Sequence, residues 1–258
     1  MCRPLENSRV VNFFRRLVHS GDIDAGPVVW NTQAAGEALP SLPGLTHLAT
    51  LDAAEWLRAS LTTFGRTVSS ILPGHFPAYA RVYHPFDRLD GSPENASTWR
   101  DMVAVAKVEI SDPATAEEFA LNGVHDAQAR SGTLRPRLVE ALIEHLVTAT
   151  ATPDSCYFAF WEGFGGSPIP RTLTPKLELP ERAYHVFAGP LTAARTSFSN
   201  YSWGEQSANL WWPADQAWCV ATEIDFAWTY VGGSRACIDA VLADPRLEAV
   251  ETSALARW

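Results

Sequence analysis

The sequence predicts an α+β fold, with a mostly antiparallel sheet of about five strands packed against helices in a single main domain. A stripe of apolar residues at helical spacing runs through the segment LRPRLVEALIEHLVTAT, residues 134–150. Several shorter segments instead alternate between apolar and polar or small side chains, as half-buried strands do. Helices and strands do not alternate one for one along the chain, which disfavours a doubly wound parallel sheet and favours an antiparallel one.

Residues 1–50 are predicted to form an N-terminal helix followed by an irregular extension. Apolar residues at helical spacing predict the helix from Glu6 to His19. Residues 22–50 contain repeated Gly and Pro, which is typical of a connector. The main α+β domain is therefore placed at residues 51–258, and it begins with a helix that Asp52 is expected to cap.

The main domain contains five predicted strands, each a short apolar or alternating run bounded by turn residues. They cover residues 79–84, 156–163, 176–180, 184–190 and 218–230. Two further helices are predicted beside the apolar stripe. One is short, is capped by Ser97 or Thr98 and runs to Val105. The other is C-terminal, SRACIDAVLADPRLEAV, capped by Ser234 and interrupted at Pro245.

Composition and charge restrict the function classes. The formal net charge is −9 and no run of lysine or arginine offsets it, so neither a nucleic acid nor an anionic membrane surface is an expected partner. No stretch approaches the roughly 20 apolar residues that span a bilayer. The first residues lack a secretory h-region, so we expect a cytoplasmic protein. The four cysteines form no C-x-x-C pair and the seven histidines no H-E-x-x-H motif, so neither a metal site nor a cofactor is expected.

The segment WWPADQAWCVATEIDFAWTYVGG, residues 211–233, carries the strongest strand pattern. If residues 218–230 form one strand, the bulky residues lie on a buried face and the small and acidic residues lie on the opposite face. Glu223 and Asp225 then point the same way, about 7 Å apart. The favoured interpretation is a solvated or ion-paired face. The alternative is a pair of carboxylates that binds a cation or a basic group in a groove over the sheet.

Three other residues complete the candidate binding site. Glu162 ends a predicted strand at the glycine-rich loop FWEGFGGSP, and His75 and His84 flank the first predicted strand. Loops at strand ends often carry binding residues, although a plain hairpin connection explains the same pattern. Ordinary turn and edge positions likewise explain the two histidines. If the protein is an enzyme, these three side chains line a pocket over the sheet together with Glu223 and Asp225.

Four segments together resemble a group of proteins from high-GC Gram-positive bacteria for which no activity is established. They are ILPGHFPAYARVYHP, CYFAFWEGFG, NLWWPADQAWCVATEIDFAWTYVGGS and LADPRLEAV. The resemblance covers about residues 64–250 and implies a domain boundary and a lineage, without catalytic residues. The segment FGRTVSSILPGHFPAYARV is also similar to SUKH-type immunity domains, α+β proteins in which a helix leads into an LP turn and an aromatic residue. That similarity implies an immunity or inhibitor role.

The sequence therefore favours a non-catalytic, cytoplasmic protein-binding domain of the immunity or inhibitor kind. Its acidic face, with Glu162, Glu223 and Asp225, is expected to meet a basic protein such as a toxin or a nuclease. The net charge, the aromatic content and the lack of a catalytic motif such as G-x-S-x-G support this hypothesis. The alternative is a hydrolase or a small-molecule-modifying enzyme that uses the carboxylate and histidine pocket.

Overall fold

The computed structural model describes residues 42–88, 97–106, 127–200 and 205–258 of the chain. The strands within these ranges are β1 (Thr46–His47), β2 (Ala78–Tyr83), β3 (Phe86–Arg88), β4 (Ala127–Ala129), β5 (Cys156–Trp161), β6 (Leu177–Leu179), β7 (Arg182–Gly189), β8 (Leu210–Pro213), β9 (Cys219–Ala221), β10 (Trp228–Gly233) and β11 (Ala249–Thr252). The α-helices are α1 (Glu55–Ser60), α2 (Trp99–Ala106), α3 (Pro136–Leu146) and α4 (Arg235–Ala243). The predicted helix Glu6–His19 lies outside the described residues, and the predicted domain boundary at residue 50 stays a prediction.

Nine of the described strands form one antiparallel sheet. Its order is β1-β7-β5-β8-β9-β10-β2-β11, and β6 also pairs with β7. Strands β3 and β4 form a small separate sheet. The predicted α+β class with a mostly antiparallel sheet is confirmed, whereas the predicted count of about five strands is wrong. The missed strands β1, β8 and β11 have only two to four residues each, too few for a visible alternation.

Both faces of the large sheet are buried. Along β5, Phe158 and Phe160 enter one hydrophobic cluster together with α3 and α4, and we call this side the α3/α4 face. Tyr157 and Trp161 point to the opposite cluster, which contains side chains of α1 and α2 and is called the α1/α2 face. A strand that is buried on both sides needs apolar residues at nearly every position. For this reason β5 and β8 consist of the continuous apolar runs CYFAFW and LWWP.

The two longer helices begin where the sequence predicts. Pro136 stands in the first turn of α3, where its missing N–H is not required. Ser234 caps α4, because its hydroxyl accepts a hydrogen bond from the N–H of Cys237 at 3.2 Å. Helix α4 ends before Pro245, and residues 249–252 form β11 instead of the predicted continuation of the helix.

One of the two other predicted helix caps is confirmed. Thr98 caps α2, since its hydroxyl accepts a hydrogen bond from the N–H of Asp101 at 3.0 Å. The prediction for Asp52 is wrong: this residue lies inside a 3-10 turn ahead of α1, and the N-cap of α1 is Ala54, which makes no side-chain hydrogen bond.

The segment 218–230, predicted to be a single strand, is a hairpin. Strands β9 and β10 pair antiparallel, and residues 222–227 turn between them. The N–H of Phe226 donates to the carbonyl of Glu223 at 3.1 Å and closes the turn. Because the turn contains neither Gly nor Pro and has an even number of residues, the alternation continues through it and conceals it.

The hairpin divides its aromatic residues between the two faces of the sheet. Trp218 packs on the α3/α4 face, whereas Trp228 and Tyr230 pack on the α1/α2 face. The predicted strand with one bulky and one acidic face is therefore wrong. Glu223 and Asp225 stand in the turn, at the end of the sheet, and not on a strand face.

Candidate binding site around Arg182

Arg182 occupies the centre of the candidate site. It is the first residue of β7 and follows the tight turn from β6, in which Glu181 has a φ of 65°. Its guanidinium lies between two aromatic rings, 5.2 Å from the ring centroid of Phe64 and 5.9 Å from that of Trp161. Stacking of this kind fixes the plane of a guanidinium and leaves its N–H edges available to acceptors.

Glu223 is the main acceptor of Arg182. The Nη2 group of Arg182 donates to Oε1 of Glu223 at 2.5 Å, and Nε donates to the same oxygen at 3.2 Å. A longer contact of 3.4 Å joins Nη2 to Oδ2 of Asp225. The side chain of Glu223 is 4% exposed and that of Asp225 is 71% exposed. One arginine thus connects the two predicted carboxylates, of which only Glu223 is buried.

A small cavity borders Glu223. Burial raises the pKa of the Glu223 carboxyl group, while the hydrogen bond from Arg182 acts in the opposite direction. Tyr184 also lines the cavity, and burial, followed by the charge of Glu223, raises the pKa of its phenol. The cavity has a volume of about 20 Å³, which is room for about one water molecule. In this conformation a water molecule or a group of similar size fits the cavity, and an organic substrate does not.

A larger groove also borders Arg182, and its volume is about 500 Å³. It is lined by Trp161, Glu162, Gly163, Arg171, Glu178, Leu179, Glu181, Arg182 and Ala183. The carboxylate of Glu162 accepts a hydrogen bond from Nζ of Lys176 at 2.5 Å. Glu178 and Glu181 are exposed, and neither side chain forms an ion pair with a described residue. The groove is therefore open to solvent and contains the exposed Arg171 and two carboxylates that pair with no described residue.

Asn209 joins the strand ends beside the site. Strands β5 and β8 lie between β7 and β9 in the sheet, and the pairing of β5 with β8 stops at Ala159 and Leu210. Beyond that point the buried side chain of Asn209 accepts a hydrogen bond from the N–H of Trp161 at 3.0 Å and donates one to the carbonyl of Thr222 at 3.1 Å. One amide side chain thus substitutes for backbone pairing and connects the end of β5 to the end of β9.

His84 belongs to a buried hydrogen-bonded chain. Its Nδ1 lies 2.7 Å from the carbonyl of Arg130, which only accepts, so Nδ1 carries the proton and Nε2 is the acceptor of the neutral ring. The hydroxyl of Thr229 donates to Nε2 at 2.9 Å, and the hydroxyl of Thr222 donates to Thr229 at 2.7 Å. Burial lowers the pKa of His84 to about 4. The chain ends at Thr222, a residue that also lines the small cavity.

His75 lies apart from this arrangement. Its exposed ring contacts Trp56 and Phe76, at 5.8 Å and 4.5 Å between ring centroids, and it lines neither cavity. The structure therefore groups the three predicted carboxylates around Arg182, connects His84 to Thr222 through hydroxyl groups and leaves His75 separate. The roles of these five residues in binding stay predictions.

The described cysteines are core residues. Cys156, Cys219 and Cys237 are buried free thiols. Burial raises the pKa of Cys156 to about 12 and that of Cys237 to about 11, and a thiol held in its protonated form is a poor nucleophile.

Within the described ranges, no three His, Cys, Asp or Glu side chains are arranged to hold a metal ion. None of the helices in that part of the chain is long and apolar enough to cross a membrane.

The sequence-based prediction of the site includes the acidic residues but not their basic partners, Arg182 and Lys176. Arg182 and Lys176 pair with carboxylates that lie 41 and 14 residues away, and no local spacing rule connects residues so far apart. The segment KLELPER, residues 176–182, does carry charges of both signs at a predicted hairpin. Such alternation was the available signal for an ion-paired strand end.

Comparisons with protein-family models, with curated proteins and with solved structures find no significant match for this chain. The proposal for its function therefore rests on the geometry of the site.

Proposed function

We propose that this protein is a non-catalytic, cytoplasmic binding domain whose groove beside Arg182 takes a basic segment of a partner protein. The observation that carries the proposal is the groove of about 500 Å³ in which Glu178 and Glu181 are exposed and form no ion pair with a described residue. Arg182 is already engaged by Glu223, so it does not neutralise these carboxylates. The exposed Asp225 adds a third acid next to the same arginine.

The groove also offers an aromatic surface. Trp161 lines it and is half-buried, with its ring near Arg182. An incoming arginine or lysine side chain gains from contact with such a ring and from carboxylates at its rim. Ion pairs at an exposed rim contribute little each, so the complex is expected to weaken steeply as the salt concentration rises. The net charge of −9 favours the approach of a basic partner over a long range.

The similarity of the segment FGRTVSSILPGHFPAYARV to SUKH-type immunity domains supports the same class of function. Under this proposal the partner is a basic protein, such as a toxin or a nuclease, and the domain acts by covering a basic surface. A surface of this kind needs complementary charge and no catalytic group.

Titration of a labelled peptide of alternating arginine and serine tests the proposal. Fluorescence anisotropy is expected to show saturable binding that weakens with salt. The double variant Glu178→Lys/Glu181→Lys is expected to weaken binding about tenfold or more, because like charges then face the peptide. Asp154→Lys/Asp239→Lys is the matched control, since it makes the same change in net charge at two exposed acids elsewhere.

If both double variants weaken binding equally, the peptide responds to net charge alone and the groove is not the site. If the wild-type protein binds a glutamate–serine peptide as well as the arginine–serine peptide, the proposed charge complementarity is wrong.

A further inference from the structure

A second buried arginine, Arg81, lies on β2 and is only 8% exposed. Its guanidinium lies 5.1 Å from the ring centroid of Trp228 and 5.3 Å from that of Tyr230. The hydrogen bond that the structure gives this guanidinium runs from Nη2 to the carbonyl of Arg257 and is long, at 3.4 Å. No carboxylate of the described residues lies within 4.0 Å of it. Arg81 is thus a buried cation without a counter-ion in this part of the chain.

Three polar groups around this guanidinium form no hydrogen bond of good geometry with a described residue. They are Nε of Arg81, Nε1 of Trp228 and the hydroxyl of Tyr230. Burial raises the pKa of Tyr230, whereas the charge of Arg81 and the N–H groups of Trp228 and Arg81 act in the opposite direction, so the phenol keeps its proton and remains a donor. A buried donor without an acceptor costs free energy, and a buried charge without a partner costs more. An acceptor that carries negative charge would remove this cost for all three groups together.

We propose that Arg81, Trp228 and Tyr230 form a binding site for a small oxyanion, either a carboxylate or an inorganic phosphate group. The Nε and Nη2 groups form one edge of the guanidinium, and that edge matches two oxygen atoms of such an anion. The guanidinium lies over both rings, and the Nε group on this edge makes no hydrogen bond to a described residue. The indole N–H and the phenol supply further donors to the same anion.

The site lies close to the edge of the sheet. In the pairing of β2 with β11, Val250 stands directly opposite Arg81, and such opposed residues share one face of the sheet. Val250 is 43% exposed and belongs to the edge strand. The neighbour of Arg81 on the outer side of this face is therefore a partly exposed side chain of the edge strand. The site uses none of the residues of the groove beside Arg182, so it is independent of the proposed function.

Thermal unfolding of the full chain, with sodium phosphate and sodium acetate titrated separately at constant ionic strength, tests this inference. At least one of the two anions is expected to raise Tm in a saturable way. Arg81→Met keeps the apolar stem of the side chain and is expected to abolish the increase. Tyr230→Phe keeps the ring stack and removes one donor, so the anion is expected to bind about tenfold more weakly.

Arg58→Met, at an exposed arginine, is the control and is expected to respond like the wild-type protein. A larger response to acetate identifies a carboxylate ligand, and a larger response to phosphate identifies a phosphate. If neither anion raises the Tm of the wild-type protein, or if Tyr230→Phe binds as tightly as the wild type, the inference is wrong. Tyr230→Phe keeps the test valid should Arg81→Met fail to fold.

Discussion

The guanidinium of Arg182 holds the carboxylate of Glu223 at 2.5 Å, although β5 and β8 separate β7 from β9 in the sheet and 41 residues separate the two side chains in sequence. The contact fixes the β9–β10 turn against the start of β7. Arg182 also lines both the small cavity, which has room for about one water molecule, and the open groove.

Arg182→Met is expected to lower the free energy of unfolding by about 3 kcal/mol, because it leaves the buried Glu223 without its partner. Glu223→Gln in the same background is expected to restore part of this loss, so that the two changes couple by about 1 kcal/mol or more. Urea unfolding of the two single variants and the double variant measures the coupling. Strictly additive losses would show that the pair contributes no specific stability.

His84 is expected to make the protein less stable in mild acid. Its pKa falls from 6.5 to about 4 in the folded state because of burial, so the folded state binds fewer protons than the unfolded state between these values. The stability present above pH 6.5 is therefore lost as the pH falls towards about 4. Between pH 6.5 and pH 5 the contribution of His84 amounts to about 2 kcal/mol.

The variant His84→Asn, which keeps a donor for the carbonyl of Arg130, is expected to lose about 2 kcal/mol less than the wild type over the same pH range. His75→Asn, the same substitution at an exposed histidine outside this hydrogen-bonded chain, is the control. Urea unfolding at several pH values measures both. An unchanged pH profile in His84→Asn would show that this ring is not the group responsible.

Gly132 is expected to tolerate no side chain. Its φ is 73°, and a Cβ at this position would lie 2.5 Å from the carbonyl oxygen of Ile224, in the turn that carries Glu223. Gly132→Ala therefore combines backbone strain with a backbone clash and is expected to cost about 2 kcal/mol or more. Gly165→Ala is the matched control, since no atom of the described residues lies within 4 Å of the added methyl group. Thermal unfolding measures the stability of both variants. An equal loss of stability in Gly132→Ala and Gly165→Ala would contradict the packing of this turn.

Asn209→Leu is expected to cost about 3 kcal/mol, because the N–H of Trp161 and the carbonyl of Thr222 lose their partner while they stay buried. Hydrogen exchange at the Trp161 amide is expected to become faster in the same variant. Asn200→Leu, at an exposed asparagine, is the control for the substitution itself. Unchanged exchange at Trp161 would show that the Asn209 bridge is dispensable.

Much of the fold is predictable because its longer elements carry local signals. The apolar stripe of α3, the Ser234 cap of α4 and the apolar runs of β2, β5 and β7 depend on neighbouring residues, and the structure confirms them. The β9–β10 hairpin was missed because its turn preserves the alternation and lacks Gly and Pro. A pattern with a period of two does not distinguish one long strand from two strands joined by an even number of residues.

The candidate site is only partly predictable for a related reason. The sequence identifies Glu162, Glu223 and Asp225 as acids near strand ends, but it does not reveal that Arg182 stands among them. That contact depends on the order of the strands in the sheet, which long-range pairing determines. Similarly, nothing in the spacing of Arg81, Trp228 and Tyr230 indicates that they form one stack.

The central claim is that the groove beside Arg182 is the surface that takes a basic segment. Amide NMR spectra of the isotope-labelled protein, recorded with and without the arginine–serine peptide, test it most directly. The account predicts shifts that saturate together and are confined to residues 161–163 and 178–183, at Arg171 and around Asp225. Shifts that cluster on another part of the surface would contradict it. The absence of shifts at peptide concentrations that saturate the anisotropy signal would also contradict it.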